Sequence, residues 1–375
     1  MNIRLMKLLD TVIGRIVAFI TPSPSRIQLS FTLTSLLLVR PGGIGDAVLL
    51  APVIFSLKET FPSVRITILA EKRNDGIFRL IQGVDKLLCY DHPGEFFQAL
   101  GGRYDVVIDT EQWHRLSAVV ARLVSAPIKI GFDTNERRRM FTHTIPYSQD
   151  DYESVSFSHL LEPLIARDGV VTLRVPFLSI SNTISYQVAS LLEQLHDMPF
   201  VTIFPGASIL ERRWGAESFR RAAEKLSILG IKIVVIGGKG DRQQGDVIAG
   251  GKLALNLAGM TSLSETAAVI QKSALLLSGD SGLLHVAVSL GVPTVSLFGP
   301  GRAKKWAPQG ERHTVINKEL PCSPCTTFGN TPPCPIHAKC MRDISVTEVV
   351  DAVTALLFYD GSGNCDFSKT QAMPV

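Results

Sequence analysis

The sequence predicts an α/β protein with two domains, each built on buried parallel strands. Two stretches support this prediction, because in each a short apolar run ends at a Gly- and Asp-rich turn and is followed by a helical pattern and a second apolar run. They cover residues 35–70 and 273–298. Such runs are typical of buried parallel strands joined by a crossover helix. A chain of 375 residues is long enough for two domains of ordinary size.

The second stretch, residues 278–300, reads SGDSGLLHVAVSLGVPTVSLFGP. Asp280 or Ser281 is a suitable N-cap for the predicted helix, Gly291 ends it and Pro293 prevents its continuation. The start of a helix at the carboxyl end of a strand offers backbone N–H groups to phosphate. Asp280 and His285 lie within about one turn of that start, where they would meet a ligand. The alternative is that Asp280 only caps the helix and His285 is an ordinary buried histidine.

In the first stretch, the strand 35–40 runs into the turn Pro-Gly-Gly-Ile-Gly-Asp at 41–46, and a helix is predicted over 47–60. The turn is a poor dinucleotide fingerprint, because Val48 stands where a third small residue is expected. A nicotinamide oxidoreductase is therefore disfavoured. Asp46 lies at the carboxyl edge of the first strand, where ligands collect in such sheets, although it would also serve as a helix cap.

The rest of the chain alternates in the same way. We predict further strands at 86–90, 106–109, 129–132, 200–204, 231–236 and 256–259, and helices at 96–100, 117–123, 184–195, 216–229 and 264–271. The basic segment 135–139 is predicted to be a solvated loop, or, beside a ligand site, to attract an anionic acceptor. The predicted organisation is an N-terminal helix and linker (1–30), a first domain (31–180), a connecting helix (181–197), a second domain (198–360) with a Cys-rich loop (320–342), and a flexible tail (361–375).

Residues 5–20 carry apolar side chains at helical spacing, with Arg4, Lys7 and Arg15 mostly outside the apolar stripe. The apolar run is too interrupted to span a bilayer. It favours an interfacial helix on an anionic membrane leaflet, followed by the linker Thr-Pro-Ser-Pro-Ser at 21–25. The alternative is a helix packed on the surface of the protein itself.

Composition describes a globular protein, with 46% hydrophobic and 19% charged residues. The formal charge of +4 is too small to indicate a nucleic-acid partner. Cys322, Cys325, Cys334 and Cys340 would suit a zinc site by spacing. The five-residue gap between the last two and the many prolines favour free or redox-sensitive thiols in a reducing compartment instead, so no metal is expected. No export signal is recognised, which predicts a cytoplasmic location.

Six motifs in order make the chain resemble glycosyltransferase family 9, the lipopolysaccharide heptosyltransferases. They are LLLVRPGGIGDAVLLAPV, FPGAS with RRW, VVIGGKGD, NLAGMTSLSETAAVI, GDSGLLHVAVSLGVPTVSLFGP, and CSPC followed by CP and CMRDIS. The resemblance extends from about residue 35 to residue 350. Each motif is weak alone, but their order is specific for the family.

The resemblance implies a GT-B fold, in which two Rossmann-like domains face each other across a cleft. The first would hold the acceptor and the second a nucleotide-sugar. Members transfer a heptose from ADP-heptose to the inner core of lipopolysaccharide with inversion at the anomeric carbon. Their catalytic aspartate lies in the glycine-rich first turn, where this chain has Asp46, which would act as general base.

The resemblance also implies the binding residues. Arg212 stands where the family usually has a lysine on the donor phosphates, and arginine differs from lysine in reach and shape. Asp241 falls in the turn that approaches the ribose. The phosphate-binding turn is matched by Asp280, Ser281, Gly282, Leu283 and His285. We expect the acceptor to be bound by Arg40, Gly43, Arg73, Arg137 and Arg138.

One departure concerns residues 301–303, which read Gly-Arg-Ala where many members have Thr-Asp-Pro. With Arg212, it leaves open a family-9 transferase that uses another donor or acceptor. A non-catalytic nucleotide- or glycan-binding membrane-associated protein is a further alternative, against which the intact Asp46 argues. The expected reaction needs ADP-heptose as donor substrate, no cofactor, and a lipid A–core oligosaccharide acceptor. The expected location is peripheral, on the cytoplasmic face of the inner membrane, with no nucleic-acid partner.

Overall fold

The computed structural model describes residues 10–25, 32–165, 175–196 and 198–358. The chain divides into two compact units, Met1–Arg174 and Val175–Val375. The predicted boundary was at residue 180, followed by a connecting helix; in the structure that helix, Asn182–Leu192, lies in the second unit. The predicted tail 361–375 and the first part of the predicted N-terminal helix lie outside the described residues.

The first unit contains a six-stranded parallel sheet in the order β3-β2-β1-β4-β5-β6. Its strands are β1 (Ser35–Arg40), β2 (Arg65–Ala70), β3 (Lys86–Cys89), β4 (Val106–Asp109), β5 (Ile128–Phe132) and β6 (His143–Ile145). Its helices are α1 (Arg15–Ile20), α2 (Ile44–Leu49), α3 (Ala51–Thr60), α4 (Asp75–Phe78), α5 (Pro93–Gly101), α6 (Arg115–Leu123) and α7 (Glu153–His159). The central strands are buried on both faces, as helix-covered parallel sheets require.

The second unit contains a second six-stranded parallel sheet, in the order β12-β11-β10-β7-β8-β9. Its strands are β7 (Phe200–Phe204), β8 (Lys232–Val235), β9 (Leu255–Asn256), β10 (Leu275–Gly279), β11 (Thr294–Phe298) and β12 (His313–Asn317). Its helices are α8 (Asn182–Leu192), α9 (Ala216–Ile228), α10 (Arg242–Ala249), α11 (Leu263–Lys272), α12 (Gly282–Ser289), α13 (Ala303–Trp306), α14 (Lys339–Arg342) and α15 (Val346–Leu357).

Both sheets have the strand order of a doubly wound dinucleotide-type domain. When the strands of the second sheet are numbered from β7, their order is the same as that of the first sheet. The order reverses between β1 and β4 in the first unit and between β7 and β10 in the second. Ligands bind beyond the carboxyl ends of the strands at such a switch point. The loops after these four strands are therefore where functional side chains are expected, and the predicted α/β class with two Rossmann-like units is confirmed.

Six of the described helices were not predicted: α4, α7, α10, α13, α14 and α15. The other main differences are three. The predicted helix 47–60 is two helices that meet at Leu50, because Pro52 has no N–H to continue the first helix. The edge strands β6 and β12 were missed, since most of their residues are only partly buried and their polar residues leave no long apolar run. The segment predicted as a basic loop is a 3-10 helix over Glu136–Met140, capped by the Asn135 side chain.

The N-terminal helix predicted from residues 5–20 is described from Asp10 onward. A π-helical turn at Asp10–Gly14 continues into α1. Within the described part of the chain, no helix has the length and apolarity needed to cross a bilayer.

Candidate active site

Asp46 lies in the first turn of α2, directly beyond β1, three residues after the N-cap Gly43. The positive end of the helix dipole favours a carboxylate at this position. A Cβ atom at Gly43 would lie 2.7 Å from Asp46 Oδ2, so glycine allows the carboxylate to fold back over the turn. The side chain of Asp46 is 18% exposed. A partly exposed carboxylate at a switch point is suited to meet a substrate hydroxyl.

Gln112 holds Asp46 from the other side of the switch point, in the loop after β4. Its Nε2 donates to Asp46 Oδ1 at 3.3 Å and to Glu153 Oε1 at 2.6 Å. The other oxygen of Glu153 accepts a hydrogen bond from the Tyr147 hydroxyl at 2.8 Å. Glu153 has no exposed surface, so its carboxylate acts within the protein. The two bonds of Gln112 connect the partly exposed Asp46 to a buried carboxylate.

Arg40, at the end of β1, lies on the remaining side of Asp46. Its Nη2 is 3.9 Å from Asp46 Oδ2 and 3.3 Å from Glu111 Oε2, and its Nη1 donates to the Thr110 carbonyl. Burial raises the pKa of Glu111, but the nearby Arg40 guanidinium and other groups outweigh it and lower the pKa overall. Only 2% of Arg40 is exposed. The predicted contact of Arg40 with the acceptor is therefore corrected: this side chain positions Asp46 and Glu111.

Arg137 is a second correction. It was predicted on a solvated basic segment that binds acceptor, but it has no exposed surface. Its guanidinium forms an ion pair of 2.5 Å with the equally buried Asp109 and donates to the Glu111 carbonyl. A buried arginine needs such a partner, and Asp109, at the end of β4, supplies it. Arg137 therefore holds the 3-10 helix against the sheet and cannot reach a ligand.

The other predicted acceptor residues lie near the surface. Arg73 is exposed and donates to Glu71 Oε2 at 2.7 Å, and the same carboxylate accepts from the Gly42 backbone N–H. Arg138 is exposed, with its Nη1 3.8 Å from Asp133 Oδ1. Both guanidiniums are accessible, and their contact with an acceptor stays a prediction.

In the second unit, Arg212 and Asp280 meet across the β7–β10 switch point. Arg212 Nη1 lies 3.1 Å from Asp280 Oδ2, and both side chains are largely buried. The Nε atom of Arg212 is buried without a hydrogen bond among the described residues. A guanidinium at this position has donor capacity left for a phosphate oxygen.

The helix α12 begins at the same switch point, as the sequence predicts. Of the two predicted caps, Ser281 is the one used, because its hydroxyl accepts from the Leu284 backbone N–H. Gly282 and Leu283 form the first turn behind it. His285 is buried, which lowers its pKa to about 4, so its imidazole is neutral at physiological pH. Its Nδ1 has no hydrogen-bond partner in the described part of the structure.

Gly301, the first residue of the departure at 301–303, lies against Asp280. A Cβ atom at Gly301 would lie 2.1 Å from Asp280 Oδ2, closer than real Cβ contacts. Only glycine allows the loop after β11 to approach Asp280 in this way. The unusual Gly301 is therefore explained by the position of the Asp280 carboxylate.

Asp241 lies in the turn after β8, as expected. Its Oδ2 accepts from the Gly238 backbone N–H at 2.9 Å, which closes the 3-10 turn Lys239–Asp241. A Cβ atom at Gly206 would lie 2.5 Å from Asp241 Oδ1, so the loop after β7 passes directly beside it. The carboxylate thus closes its own turn beside the loop after β7, and its contact with a ribose stays a prediction.

The four cysteines of the 320–342 loop carry free thiols. Burial is the main cause that raises the pKa of Cys325 and of Cys340, which disfavours thiolates there. In the described ranges, no three His, Cys, Asp or Glu side chains are grouped closely enough to hold a metal ion. The expected absence of a metal stays a prediction.

Several residues of the site were not predicted. Glu111 and Gln112 lie in the loop after β4. Because β4 is next to β1 in the sheet, this loop lies beside Asp46, but the strand order was not predicted. Glu153 and Tyr147 are far along the chain and carry no local signal. Gly301 was noticed only as a departure from the family pattern.

Comparisons with known proteins agree with the two-unit fold. The model of glycosyltransferase family 9 (heptosyltransferase) matches residues 94–334. Lipopolysaccharide heptosyltransferase 3 of Escherichia coli is 27% identical over 294 residues, which cover 70% of this chain and 83% of that protein.

Two solved structures share the fold. The glycosyl transferase family 9 protein from Veillonella parvula DSM 2008 has a TM-score of 0.72 at 22% identity, covering 88% of this chain and 99% of that one. E. coli ADP-heptose lps heptosyltransferase II has a TM-score of 0.69 at 20% identity, covering 86% and 98%. Together with the two parallel sheets, these likenesses confirm the GT-B fold class.

Proposed function

The chain belongs to glycosyltransferase family 9, and we propose on that basis that it moves a heptose from ADP-heptose to the inner core of lipopolysaccharide, with inversion at the anomeric carbon. The observation that carries this proposal is the position of Asp46 at the first switch point, oriented by Gln112 and Arg40. The names of the similar proteins, which refer to lipopolysaccharide and ADP-heptose, support the choice of substrates.

Asp46 acts as the general base in this proposal. Its carboxylate accepts the proton of the acceptor hydroxyl while that oxygen bonds to the anomeric carbon, and the bond from this carbon to the ADP oxygen breaks on the opposite face. Oδ1 is occupied by the Gln112 amide, so Oδ2 is the oxygen that takes the proton. A positioned base of this kind contributes roughly 10²- to 10⁴-fold to a rate.

The second unit supplies the groups that stabilise the leaving ADP. Arg212 and the first turn of α12 present positive charge and N–H donors to the diphosphate as it gains negative charge. Asp280 orients Arg212, and the neutral His285 lies one turn inside the helix. No cofactor is invoked in this displacement.

A family-9 transferase with another donor or acceptor is the second candidate. Arg212 and the glycine at position 301 favour it, because they change the shape of the phosphate region relative to the lysine and threonine of the family pattern. The charge of that region is kept by arginine, so a nucleoside diphosphate is bound in either case.

The acceptor of the proposed reaction is anchored in lipid, so the reaction takes place at a membrane surface. We place the protein on the cytoplasmic face of the inner membrane as a peripheral protein. Fractionation of cells that express the full chain tests this placement.

The proposed function is tested by measuring transfer to heptose-deficient lipopolysaccharide from ADP-heptose, and in parallel from UDP-, GDP- and dTDP-sugars. We expect turnover with ADP-heptose only, and a product of inverted anomeric configuration by NMR. The same assay with EDTA tests the expectation that no metal cofactor is needed. Turnover with a different donor would leave the fold and base in place and replace the substrate; no turnover with any donor would contradict the proposal.

A further inference from the structure

The N-terminal segment of the described chain docks on the first unit through one narrow face. Asp10, Gly14 and Ala18 are buried and lie four residues apart. The Asp10 carboxylate accepts from the backbone N–H groups of Arg115 and Leu116 at 2.6 and 2.8 Å, which caps the start of α6. A Cβ atom at Gly14 would lie 3.0 Å from the Arg115 Cβ. These contacts fix the rotation of the segment about its own axis.

The opposite face of the same segment is apolar and points to solvent. Its large side chains are between 48% and 70% exposed: Val12, Ile13, Ile16, Phe19 and Ile20. At 100° per residue they fall within an arc of about 120°. We call these five residues the apolar face. Soluble proteins rarely leave such a contiguous group in water, and where they do it is usually a contact surface.

Exposed arginines lie on the segment and on the 3-10 helix packed against it. Arg15 and Arg138 are 67% and 66% exposed, and the Arg139 guanidinium lies 5.5 Å from the centre of the Phe19 ring. Two of these arginines pair with acidic neighbours: Arg15 with Glu136, which is shared with Arg115, and Arg138 with Asp133. An apolar strip bordered by exposed arginines complements a bilayer surface, where acyl chains meet anionic headgroups.

We propose that the apolar face inserts into the headgroup region of an anionic bilayer and that the arginines beside it contact lipid phosphates. The docking contacts of Asp10 and Gly14 make the first unit follow the bound helix as one body. The sequence-based alternatives, an interfacial helix and a helix packed on the protein, are thereby combined: one face packs and the other binds lipid. This inference does not depend on the sugar that is transferred.

Sedimentation of the full chain with phosphatidylglycerol–phosphatidylethanolamine vesicles, compared with phosphatidylcholine vesicles, tests the proposal. We expect binding to the anionic vesicles and at least roughly tenfold weaker binding of Ile16→Asp/Phe19→Asp. Ile228→Asp is the control, because Ile228 is an even more exposed apolar residue, on α9 in the second unit. That variant is expected to bind like the wild type.

Two results would overturn the proposal. One is equal vesicle binding by the double variant and the wild type. The other is a wild type that ignores vesicles but forms a dimer lost in the double variant, which would assign the apolar face to a second copy of the chain. Circular dichroism and thermal unfolding of both variants show whether the fold is intact.

A separate observation concerns Glu153 and Gln112. The amide of Gln112 is fixed by Glu153 Oε1 at 2.6 Å, because turning it over would place the carbonyl oxygen against two carboxylates. We also infer that Glu153 is a positioning residue: it sets Gln112 so that an N–H always faces Asp46 Oδ1. This inference rests on the proposed function, in which Asp46 is the base.

The exchange Gln112→Glu/Glu153→Gln tests this role. It keeps the charge, the volume and one internal hydrogen bond of the pair, but it turns a carboxylate toward Asp46. Like charges favour protonation, so we expect the acid limb of the pH profile of kcat/KM to move to higher pH. A merely structural pair would tolerate the exchange without a change in the profile.

Glu153→Gln alone is the second variant, should the exchanged pair fail to fold. It frees the Gln112 amide to turn, and we expect kcat to fall while the affinity for ADP is unchanged. A wild-type rate and pH profile in either folded variant would overturn the inference. The wild type measured beside them reports on the proposed function itself, so failure of the function and failure of the positioning role give different results.

Discussion

Arg212 Nη1 lies 3.1 Å from Asp280 Oδ2, and this contact joins the loop after β7 to the turn after β10. In the other unit, Gln112 and Asp46 make the corresponding connection between the loops after β4 and β1. The two units therefore have different side-chain pairs at the equivalent switch point of the same topology. One pair orients a carboxylate that can take a proton, and the other orients a guanidinium that can hold phosphate.

Replacing Arg212 tests the phosphate role. Arg212→Met removes a charge-assisted contact and leaves Asp280 without its cation, so we expect ADP affinity to fall roughly 10- to 100-fold. Arg212→Lys keeps the charge and is expected to lose less. Isothermal titration with ADP measures both, and Arg220→Met, which removes an exposed arginine of α9, is the control. Unchanged affinity in Arg212→Met would assign the phosphates to other residues.

Gly301→Ala tests why this chain departs from the family pattern. The new Cβ atom would meet Asp280 Oδ2, so the carboxylate or the loop must move. We expect a loss of about 1–3 kcal/mol in the free energy of unfolding, as overpacking commonly causes, together with weaker ADP binding. Gly101→Ala, where an added Cβ meets nothing within 4 Å, is the matched control. A Gly301→Ala variant of normal stability and affinity would show that the close approach has no consequence.

We expect the buried Lys129 to make the free energy of unfolding depend on pH. Burial lowers its pKa to about 8 from the usual 10.5, and its Nζ donates to the carbonyls of Ala121 and Val124 near the end of α6. The unfolded state then binds more protons than the folded state between these values, so the free energy of unfolding rises with pH from about 8 to 10.5. Chemical denaturation at pH 7.5 and 9.5 should show this rise in the wild type and lose it in Lys129→Met. The same slope in both proteins would contradict the assignment.

The Asp109–Arg137 pair is expected to be structural. Arg137→Met leaves a buried carboxylate without its cation, which costs about 3–5 kcal/mol in unfolding free energy. The exposed pair Arg79–Asp75 provides the comparison, because Arg79→Met should change stability by less than about 1 kcal/mol. Thermal and denaturant unfolding measure both variants. Similar small losses would mean that Arg137 is not the buried anchor described above.

Most strands and the principal turns could be predicted from the sequence because buried parallel strands leave continuous apolar runs, as at residues 35–40 and 294–298. Asp46 and Asp280 could be predicted because they lie in the Gly-rich turns that follow such runs. The prediction for Arg137 was wrong, because a run of arginines is typical of a solvated segment. The burial of this arginine depends on its contact with Asp109, 28 residues earlier. Glu153 was missed for the same reason: its partners are brought together only by the fold. The break in the helix at Leu50 could have been predicted from Pro52, which has no backbone N–H to donate.

The central claim is that Asp46 is the base of the transfer and has no part in holding the nucleotide. The most direct measurement compares Asp46→Asn with the wild type in heptose transfer and, in parallel, in ADP binding by titration calorimetry. Asparagine keeps an oxygen for the Gln112 amide and removes the proton acceptor. We expect transfer to fall by roughly 10²- to 10⁴-fold while the Kd for ADP is unchanged. Transfer at the wild-type rate, or a parallel loss of ADP affinity, would contradict the claim.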